Sequence, residues 1–196
     1  MGCLRHGYLG SGKTIGTAAD RRSWKKNKVR GPVPKADKPR EVIQMDSVDF
    51  GDVFAFTGID IFSKEVSARL YPSLTAGDGL SFLVYSFTSR FNHTNLLQTD
   101  GGSEFKAEFR ENIHKYADRF RISRPYKKNE QAYIESFNRS LRKECLGWSK
   151  YGKKDLPGLN RELDEYLVYY HTKRPHMSLD MKTPDQFLKE YQVSDF

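Results

Sequence analysis

The chain has 196 residues, a mass of 22.7 kDa and a formal net charge of +8, which allows one sizeable core with appendages but not two domains of ordinary size. Only Cys3 and Cys145 are present, so the sequence excludes a disulfide framework and a zinc module and favours a reducing cytosol. No apolar run approaches the roughly 20 residues that span a bilayer, and the start MGCLRHGYLG lacks the apolar core of a signal peptide, so we expect a cytoplasmic protein with no membrane partner.

The positive charge is distributed unevenly along the chain. Residues 1–40 hold 11 Lys and Arg against 2 Asp and Glu, whereas residues 41–196 hold 22 against 23. A second basic cluster lies within the neutral part, because residues 119–154 carry 11 Lys and Arg and only three acids. Basic surface of this kind suits a polyanionic partner such as nucleic acid.

Residues 1–40 are rich in Gly, Lys and Arg and end in a segment with several prolines, which favours extended chain. We interpret them as a basic flexible arm or linker, with a short helix over residues 17–28 as an alternative to a flexible tail. The arm also matches the pattern G-x-x-x-x-G-K-[ST], but that loop binds phosphate only between a buried strand and a helix. MGCLRH supplies no such strand, so we expect no nucleotide cofactor. The residues of the match are Gly7, Gly12, Lys13 and Thr14.

From Glu41 the sequence changes to β-branched and aromatic runs, and EVIQMDSV, VFAFTGIDIFS and EVSARLYP predict an antiparallel meander of three strands. Thr75 and Asp78 can cap a helix that continues to about Arg90. A short buried strand over residues 95–99 then ends at Asp100, and Gly101 with the next glycine lets the chain turn sharply.

The remaining elements complete a layered α/β pattern. We predict helices over residues 103–116, 132–147 and 159–171, a fifth strand over residues 120–123, and a last helix after Thr183, with Pro184 and Gln186 as its start signals. The order predicts an α/β domain with a mixed five-stranded sheet flanked by helices. The order of strands within the sheet does not follow from this pattern.

Three acids on separate elements, Asp46, Asp100 and Glu135, suggest a metal site. Mg²⁺ prefers hard oxygen ligands, and two such ions can clamp the attacking and leaving oxygens of a phosphodiester. Each acid also has a simpler interpretation. Asp46 is then a solvated strand residue, Asp100 a turn residue, and Glu135 the partner of Arg139 in an i,i+4 pair.

Three ordered blocks of the sequence resemble motifs of one family. QTDGGSEF, residues 98–105, resembles the TDNGSEF block of transposases and retroviral integrases, and SRPYKKNEQAYIESFN, residues 123–138, resembles the stretch around their glutamate. YYHTKRPHMSL followed by TP resembles the family's YNxxRPHxSLxxxTP tail. The blocks most resemble those of bacterial insertion-sequence transposases.

This resemblance implies an RNase H-like catalytic core over residues 41–155 and a C-terminal helical extension, residues 156–196, packed on it. It implies that Asp46, Asp100 and Glu135 are the catalytic residues and hold Mg²⁺ or Mn²⁺, as two ions. The implied activity is DNA cleavage followed by strand transfer, with element ends and target DNA as partners. A homodimer or higher oligomer is expected when active, in the bacterial cytoplasm and associated with the nucleoid.

The chain departs from the family pattern in two places within the blocks, where Gly101 and His171 stand at positions that commonly hold Asn. A larger departure is that neither a His and Cys zinc domain nor a helix-turn-helix domain is recognisable in the arm. We therefore expect the part that recognises transposon ends to lie elsewhere. Two alternative functions stay open: a catalytically incomplete fragment that binds DNA, and an RNase H-fold nuclease that cuts without joining.

Basic residues around Glu135 are the candidate DNA contacts. On a helix, Glu135, Arg139 and either Arg142 or Lys143 fall on one side, where the cations would hold phosphates near the metal ions. A solvated basic face is the alternative. The predicted DNA-binding set is Lys127, Lys128, Arg139, Arg142, Lys143 and Arg174.

Two further features near these blocks allow more than one role. Tyr126 and Tyr133 would either stack on a base or sugar or pack in the core or at its rim. Arg174, Pro175 and His176 serve either structure or DNA contact, and the sequence does not choose between these roles.

Overall fold

The computed structural model of the protein describes residues 34–124 and 128–194. Most of the predicted arm therefore lies outside the described residues, including the alternative helix over residues 17–28 and the pattern from Gly7 to Thr14. The same holds for Tyr126 and for Lys127, one of the predicted DNA contacts.

The centre of the fold is one mixed sheet of five strands in the order β3-β2-β1-β4-β5. β1, β2 and β3 form the predicted antiparallel meander, while β4 pairs parallel with both β1 and β5. The prediction of a mixed five-stranded sheet is thus confirmed. The strands are β1 (Val42–Asp49), β2 (Phe54–Asp60), β3 (Val66–Tyr71), β4 (Thr94–Thr99) and β5 (Ala117–Ile122).

Five α-helices flank the sheet in the described part of the chain: α1 (Ala76–Ser86), α2 (Glu108–Asn112), α3 (Ala132–Leu141), α4 (Leu156–Thr172) and α5 (Pro184–Ser194). Both predicted N-terminal caps are present, and the one at Thr183 is a full capping box. The Thr75 hydroxyl accepts from the Asp78 N–H at 3.1 Å, and the Thr183 hydroxyl accepts from the Gln186 N–H at 3.2 Å. None of the described helices is both long and apolar enough to cross a membrane.

The prediction of one continuous helix over residues 103–116 is wrong. The segment is a 3₁₀ turn (Ser103–Phe105), the short helix α2 and a second 3₁₀ turn (Ile113–Lys115), interrupted at Ala107, whose φ is +43°. The interruption has a packing consequence. It lets Glu104 lie against Ser47 while Phe105 and Phe109 both enter the core.

Each face of the sheet is covered by its own apolar cluster, because side chains alternate between faces along a strand. One face, with Ile43, Met45 and Leu97, packs against the aromatic residues of α1 and α2. The other face, with Val42 and Leu96, packs against α3 and α4. By this alternation Asp46 and Asp100 belong to the α3 side of the sheet, which is the side that carries Glu135.

Candidate metal centre

The parallel pairing of β1 and β4 positions the two aspartates. Val42 lies opposite Leu96, and Gln44 lies opposite Gln98. When this register is continued by two residues, Asp46 on β1 lies level with Asp100, which directly follows β4. Asp46, within β1, and Asp100, just after β4, therefore lie side by side on the same face of the sheet.

Helix α3 is fixed above these strands by buried polar contacts at its start. The Gln44 side chain accepts from the Ile134 N–H at 3.2 Å and donates to the Glu130 carbonyl at 2.7 Å. The side-chain amide of Gln98 donates to the same carbonyl at 2.7 Å. Since Gln44 and Gln98 lie on β1 and β4, these bonds hold the beginning of α3 over the two strands that carry the aspartates.

The Glu130 side chain adds to these contacts. We call Gln44, Gln98 and Glu130, with the arginines that pair with Glu130, the support of α3. The Glu130 carboxylate is fully buried, lies 3.0 Å from the Arg121 guanidinium and accepts from the Arg124 backbone N–H at 2.9 Å. Burial alone would raise the pKa of Glu130, but the hydrogen bonds from Arg124 and Arg121 outweigh burial and lower this pKa below its ordinary value. Glu130 is therefore a charged, paired residue of the support.

Asn138 links α3 to Asp46 directly. Its side-chain NH₂ donates to Oδ2 of Asp46 at 2.8 Å, and its Oδ1 accepts from the Thr57 hydroxyl at 2.9 Å. Thr57 is the residue opposite Asp46 in the β1–β2 pairing. Glu135 precedes Asn138 by three residues and therefore lies on the same side of α3, above the sheet edge that holds the aspartates.

The electrostatics of Asp46 show that the acids are close enough to interact. Burial raises its pKa, a hydrogen bond from the Ser47 backbone opposes this, and the negative charges of Asp100, Glu104 and Glu135 raise it further, to about 6. Asp46 is half-buried, while Asp100 and Glu135 are exposed. The three predicted residues, which we call the acid cluster, thus influence one another through their negative charges.

Glu104 is a fourth acid of this cluster, and the sequence analysis did not single it out. It is buried and accepts from the Ser47 hydroxyl at 2.6 Å. Its place within QTDGGSEF, the block that also supplies Asp100, was the available signal. Asn138 was likewise missed, although it ends the block YIESFN that supplies Glu135.

The backbone conformation of Gly101 explains in part why Gly stands here where the family pattern commonly has Asn. Its φ is +85°, a conformation that Gly and Asn adopt most readily, and a Cβ there would lie 2.7 Å from Cγ2 of Ile122. The adjacent Gly102 N–H donates to Oδ1 of Asp100 at 2.8 Å. The turn therefore orients Asp100 at the end of its strand.

The donor set fits a divalent cation in chemistry, since carboxylate oxygens are the ligands that Mg²⁺ prefers. Among residues 34–124 and 128–194, however, no three His, Cys, Asp or Glu side chains lie together closely enough to form a ready-made metal site. The exposed Asp100 and Glu135 must turn inward to share an ion with Asp46. Mutual repulsion of the carboxylates opposes that movement unless a cation neutralises it.

The predicted DNA contacts on α3 and directly after it differ in their surroundings. Arg139 and Lys143 are exposed. The Arg142 guanidinium donates to the Asp49 carbonyl at 2.8 Å and lies 4.3 Å from the centroid of the Phe50 ring. Arg142 therefore ties the end of α3 to the end of β1.

The other predicted contacts are not residues of α3. Arg174 donates two hydrogen bonds, both of 2.7 Å, to the carboxylate of Glu144. Lys128 begins the 3₁₀ turn before α3, and Lys127 is outside the described residues. The role of all six residues in DNA binding stays a prediction.

His171, at the second departure from the family pattern, is a buried residue of α4. Its Nε2 accepts from the Val66 N–H at 3.1 Å, and its Nδ1–H donates to the Leu167 carbonyl at 2.6 Å. Burial, followed by the positive charge of Arg90, lowers its pKa to about 3. The neutral imidazole therefore has a structural role, which is to join α4 to the edge strand β3.

Comparisons with known proteins agree with this arrangement. The family model described as "Integrase core domain" matches residues 116–184. A curated relative, the transposase for insertion sequence element IS904 of Lactococcus lactis subsp. lactis (strain IL1403), is 25% identical over 146 residues, which are 71% of this chain and 56% of the relative. The chain thus spans little more than half the length of that relative.

Solved structures share the fold. The catalytic core domain of BIV integrase matches with a TM-score of 0.61 at 19% identity, over 80% of this chain and 99% of that one. The HTLV-2 integrase catalytic core domain in complex with magnesium matches with a TM-score of 0.60 at 17% identity, over 78% of this chain and 99% of that one. A chain of the simian T-cell lymphotropic virus intasome matches with a TM-score of 0.66 at 19% identity, over 84% of this chain and 62% of that one.

The five-stranded sheet with its flanking helices is therefore the RNase H-like fold of integrase catalytic cores. The integrase core domain and the insertion-sequence relative add sequence evidence to the shared fold. In sequence and in fold the chain is therefore similar to transposases and retroviral integrases.

Proposed function

We propose that this chain is the catalytic domain of a DNA transposase that cleaves DNA and transfers the freed strand in a reaction that depends on a divalent metal. The proposal is supported by the placement of Asp46 and Asp100 at level positions on one face of the sheet, beneath the helix that carries Glu135. It rests on the β1–β4 register, on the bond from Asn138 to Asp46, and on the charge coupling at Asp46.

In this proposal Asp46, Asp100 and Glu135 hold Mg²⁺ or Mn²⁺. When bound, the ions neutralise charge on the scissile phosphate and activate a water or a 3′-hydroxyl as the nucleophile. Asn138 holds one oxygen of Asp46 and thereby orients the other. Glu130, through its carbonyl and its ion pairs, fixes the height of α3 above the sheet and so limits where Glu135 can reach.

Known members of the superfamily support the choice of cofactor and partner. The family generally uses divalent metal ions, and one structural neighbour is an integrase core in complex with magnesium. Another neighbour is part of an intasome, so DNA bound by an oligomer is the state that we propose for this chain. The basic residues near Glu135, and the net charge of +9 that the counts of 11 and 2 give residues 1–40, provide a surface for a polyanion.

The proposal predicts that Asp46→Asn, Asp100→Asn and Glu135→Gln each abolish Mn²⁺-dependent nicking and joining of a duplex, because each removes a metal ligand without changing side-chain volume. Asp52→Asn is the matched control, since Asp52 is an exposed acid just after β1. The assay should separate nicked from joined products by gel electrophoresis.

The possible outcomes distinguish the candidate functions. Joined products from the wild-type chain support a transposase, and nicked products alone would instead indicate a nuclease. No products, with DNA binding intact, would indicate the catalytically incomplete fragment. Wild-type activity in any one substituted protein would remove that residue from the site.

A further inference from the structure

A cleft of about 400 Å³ lies between α3 and the segment that follows α4. It opens on the flank of α3 that carries Ser136 and Ser140, whereas Glu135 and Asn138 occupy the neighbouring flank. The far wall comes from Arg174, His176 and the residues after them. The cleft is therefore separate from the acid cluster, although both use the same helix.

The lining of the cleft is basic. Lys64, Arg139 and Arg174 all contribute to it, and no acidic side chain among the described residues does so. Glu144 offsets the charge of Arg174 from outside the cleft through their two hydrogen bonds. Lys64 and Arg139 form no ion pair within the described part of the chain, so they supply the positive charge that the cleft presents to a ligand.

The turn between β2 and β3 holds Lys64 in place. Its φ is +61°, its ammonium group donates to the Ile61 carbonyl, and this group lies 4.1 Å from the centroid of the Tyr133 ring. Burial lowers the pKa of Lys64 to about 8, with the negative charge of Asp60 acting in the opposite direction. A cation that is partly removed from water is stabilised by an anion brought next to it.

His176 supplies a buried polar atom that lacks a partner. The side chain is 9% exposed and packs edge-on against Tyr170, with ring centroids 4.7 Å apart. Its Nε2 makes no hydrogen bond to any described residue. Buried polar atoms are rarely left unpaired in folded proteins, so an unpaired one that lines a basic cleft points to a ligand.

We propose that this cleft binds a backbone phosphate of the DNA strand that crosses α3, with Lys64 and Arg139 supplying charge and Ser136, Ser140 and His176 supplying hydrogen bonds. The proposal rests on the proposed function and adds a DNA contact outside the acid cluster. Burial and the positive charges of Arg174 and Lys64 disfavour protonation of His176. A phosphate in the cleft would offset those charges and offer Nε2 a hydrogen-bond partner.

The position of the cleft favours DNA over a small free anion. Ser136 directly follows Glu135 in the chain, and Arg139 lies about one helical turn, roughly 5.4 Å, further along the axis. A strand with its reacting phosphate at Glu135 therefore places a neighbouring phosphate at the cleft. A free phosphate would satisfy the same side chains but would not need this proximity.

The test is the salt dependence of DNA binding by the full-length chain, measured by fluorescence anisotropy with a labelled duplex over a series of NaCl concentrations. Each lost phosphate contact lowers the slope of log affinity against log salt by about 0.9. We expect this change for Lys64→Asn, which suits the positive φ, and for Arg139→Gln. Ser140→Glu should weaken binding further, because it places a negative charge in the cleft.

Lys189→Gln is the matched control, since Lys189 is exposed on α5 and does not line the cleft. It should leave the slope unchanged. Circular dichroism on each variant checks that the fold is intact, and Ser140→Gln separates the effect of charge from the effect of size.

Unchanged slopes for Lys64→Asn and Ser140→Glu, in folded protein that binds DNA, would overturn the cleft as a DNA site and leave the proposed function standing. The melting temperatures of the wild type and of Lys64→Asn, measured with sodium phosphate at matched ionic strength, distinguish a DNA phosphate from free phosphate as the ligand of the cleft. A shift in the wild type only, together with unchanged DNA slopes, would assign the cleft to free phosphate and also overturn the proposal. If the wild-type chain binds no duplex at all, the proposed function fails together with this inference.

Discussion

The start of α3 and the carboxylates beside it differ in how completely their charges are paired. At the start of the helix, Glu130 is fully buried, yet it is satisfied by Arg121, Arg124 and, through its carbonyl, by Gln44 and Gln98. Beside α3, burial raises the pKa of Asp46 and the charges of other acids raise it further, while Asp100 and Glu135 are exposed.

This difference separates the support of the site from its chemistry. The charges of the support are paired within the protein, so it holds α3 in one position without a ligand. The acid cluster is incomplete within the protein, because its like charges repel until a cation binds. Changes to the support should therefore reduce stability, whereas changes to the acids should reduce function and metal binding while the fold persists.

The largest expected effect on stability comes from breaking the support. Glu130→Gln removes one partner of a buried ion pair and leaves the charge of Arg121 buried without it, so the free energy of unfolding should fall by about 3–5 kcal/mol. Urea denaturation followed by circular dichroism measures this change.

Glu190→Gln is the control for that measurement. Glu190 pairs with Lys182 on the exposed side of α5, and exposed pairs contribute about 0–1 kcal/mol. Equal losses in the two variants would show that Glu130 is no more than a surface residue and that α3 is held by other contacts.

A smaller effect is expected at His171, a second fully satisfied buried group. Its pKa is about 3 in the folded protein, against 6.5 for an ordinary histidine. Because the folded pKa is depressed, the stability linked to His171 is complete above pH 6.5 and is lost as the pH falls towards 3. The slope from this group is at most about 1.4 kcal/mol per pH unit.

His171→Asn should remove that part of the slope, since Asn does not titrate. The measurement compares urea unfolding of both proteins at several pH values between 4 and 7, the interval set by the folded and ordinary pKa values. The two slopes of unfolding free energy against pH can be compared even if the substitution lowers the stability at neutral pH. Parallel curves for the two proteins would mean that His171 is already protonated in the folded state, contrary to its two hydrogen bonds.

Much of the fold could be predicted from the sequence because its strands and caps are local signals. The β-branched runs form β1, β2 and β3, and the two predicted helix caps are present. The helix predicted over residues 103–116 failed because its interruption at Ala107 depends on where Phe105, Phe109 and Glu104 pack. Such tertiary packing leaves no periodic trace in the sequence.

The candidate site shows the same limit. Asp100 and Glu135 stand in matched blocks, and Asp46 stands within a predicted strand, so the resemblance to the family selects all three. Glu130 and Asn138 do not differ, in sequence, from ordinary polar residues of a loop and a helix. Their importance comes from burial and from partners far away along the chain, such as Gln44 and Asp46, which only the folded arrangement reveals.

The central claim is that three carboxylates from three elements form one metal centre, and Mn²⁺ binding measured by isothermal titration calorimetry tests it most directly. The wild-type chain should bind Mn²⁺, and Asp46→Asn, Asp100→Asn and Glu135→Gln should each weaken binding by about tenfold or more, which corresponds to about 1.4 kcal/mol. Asp52→Asn should bind like the wild type. Wild-type affinity in all three site variants, with their folds intact, would contradict the claim and place any bound metal elsewhere.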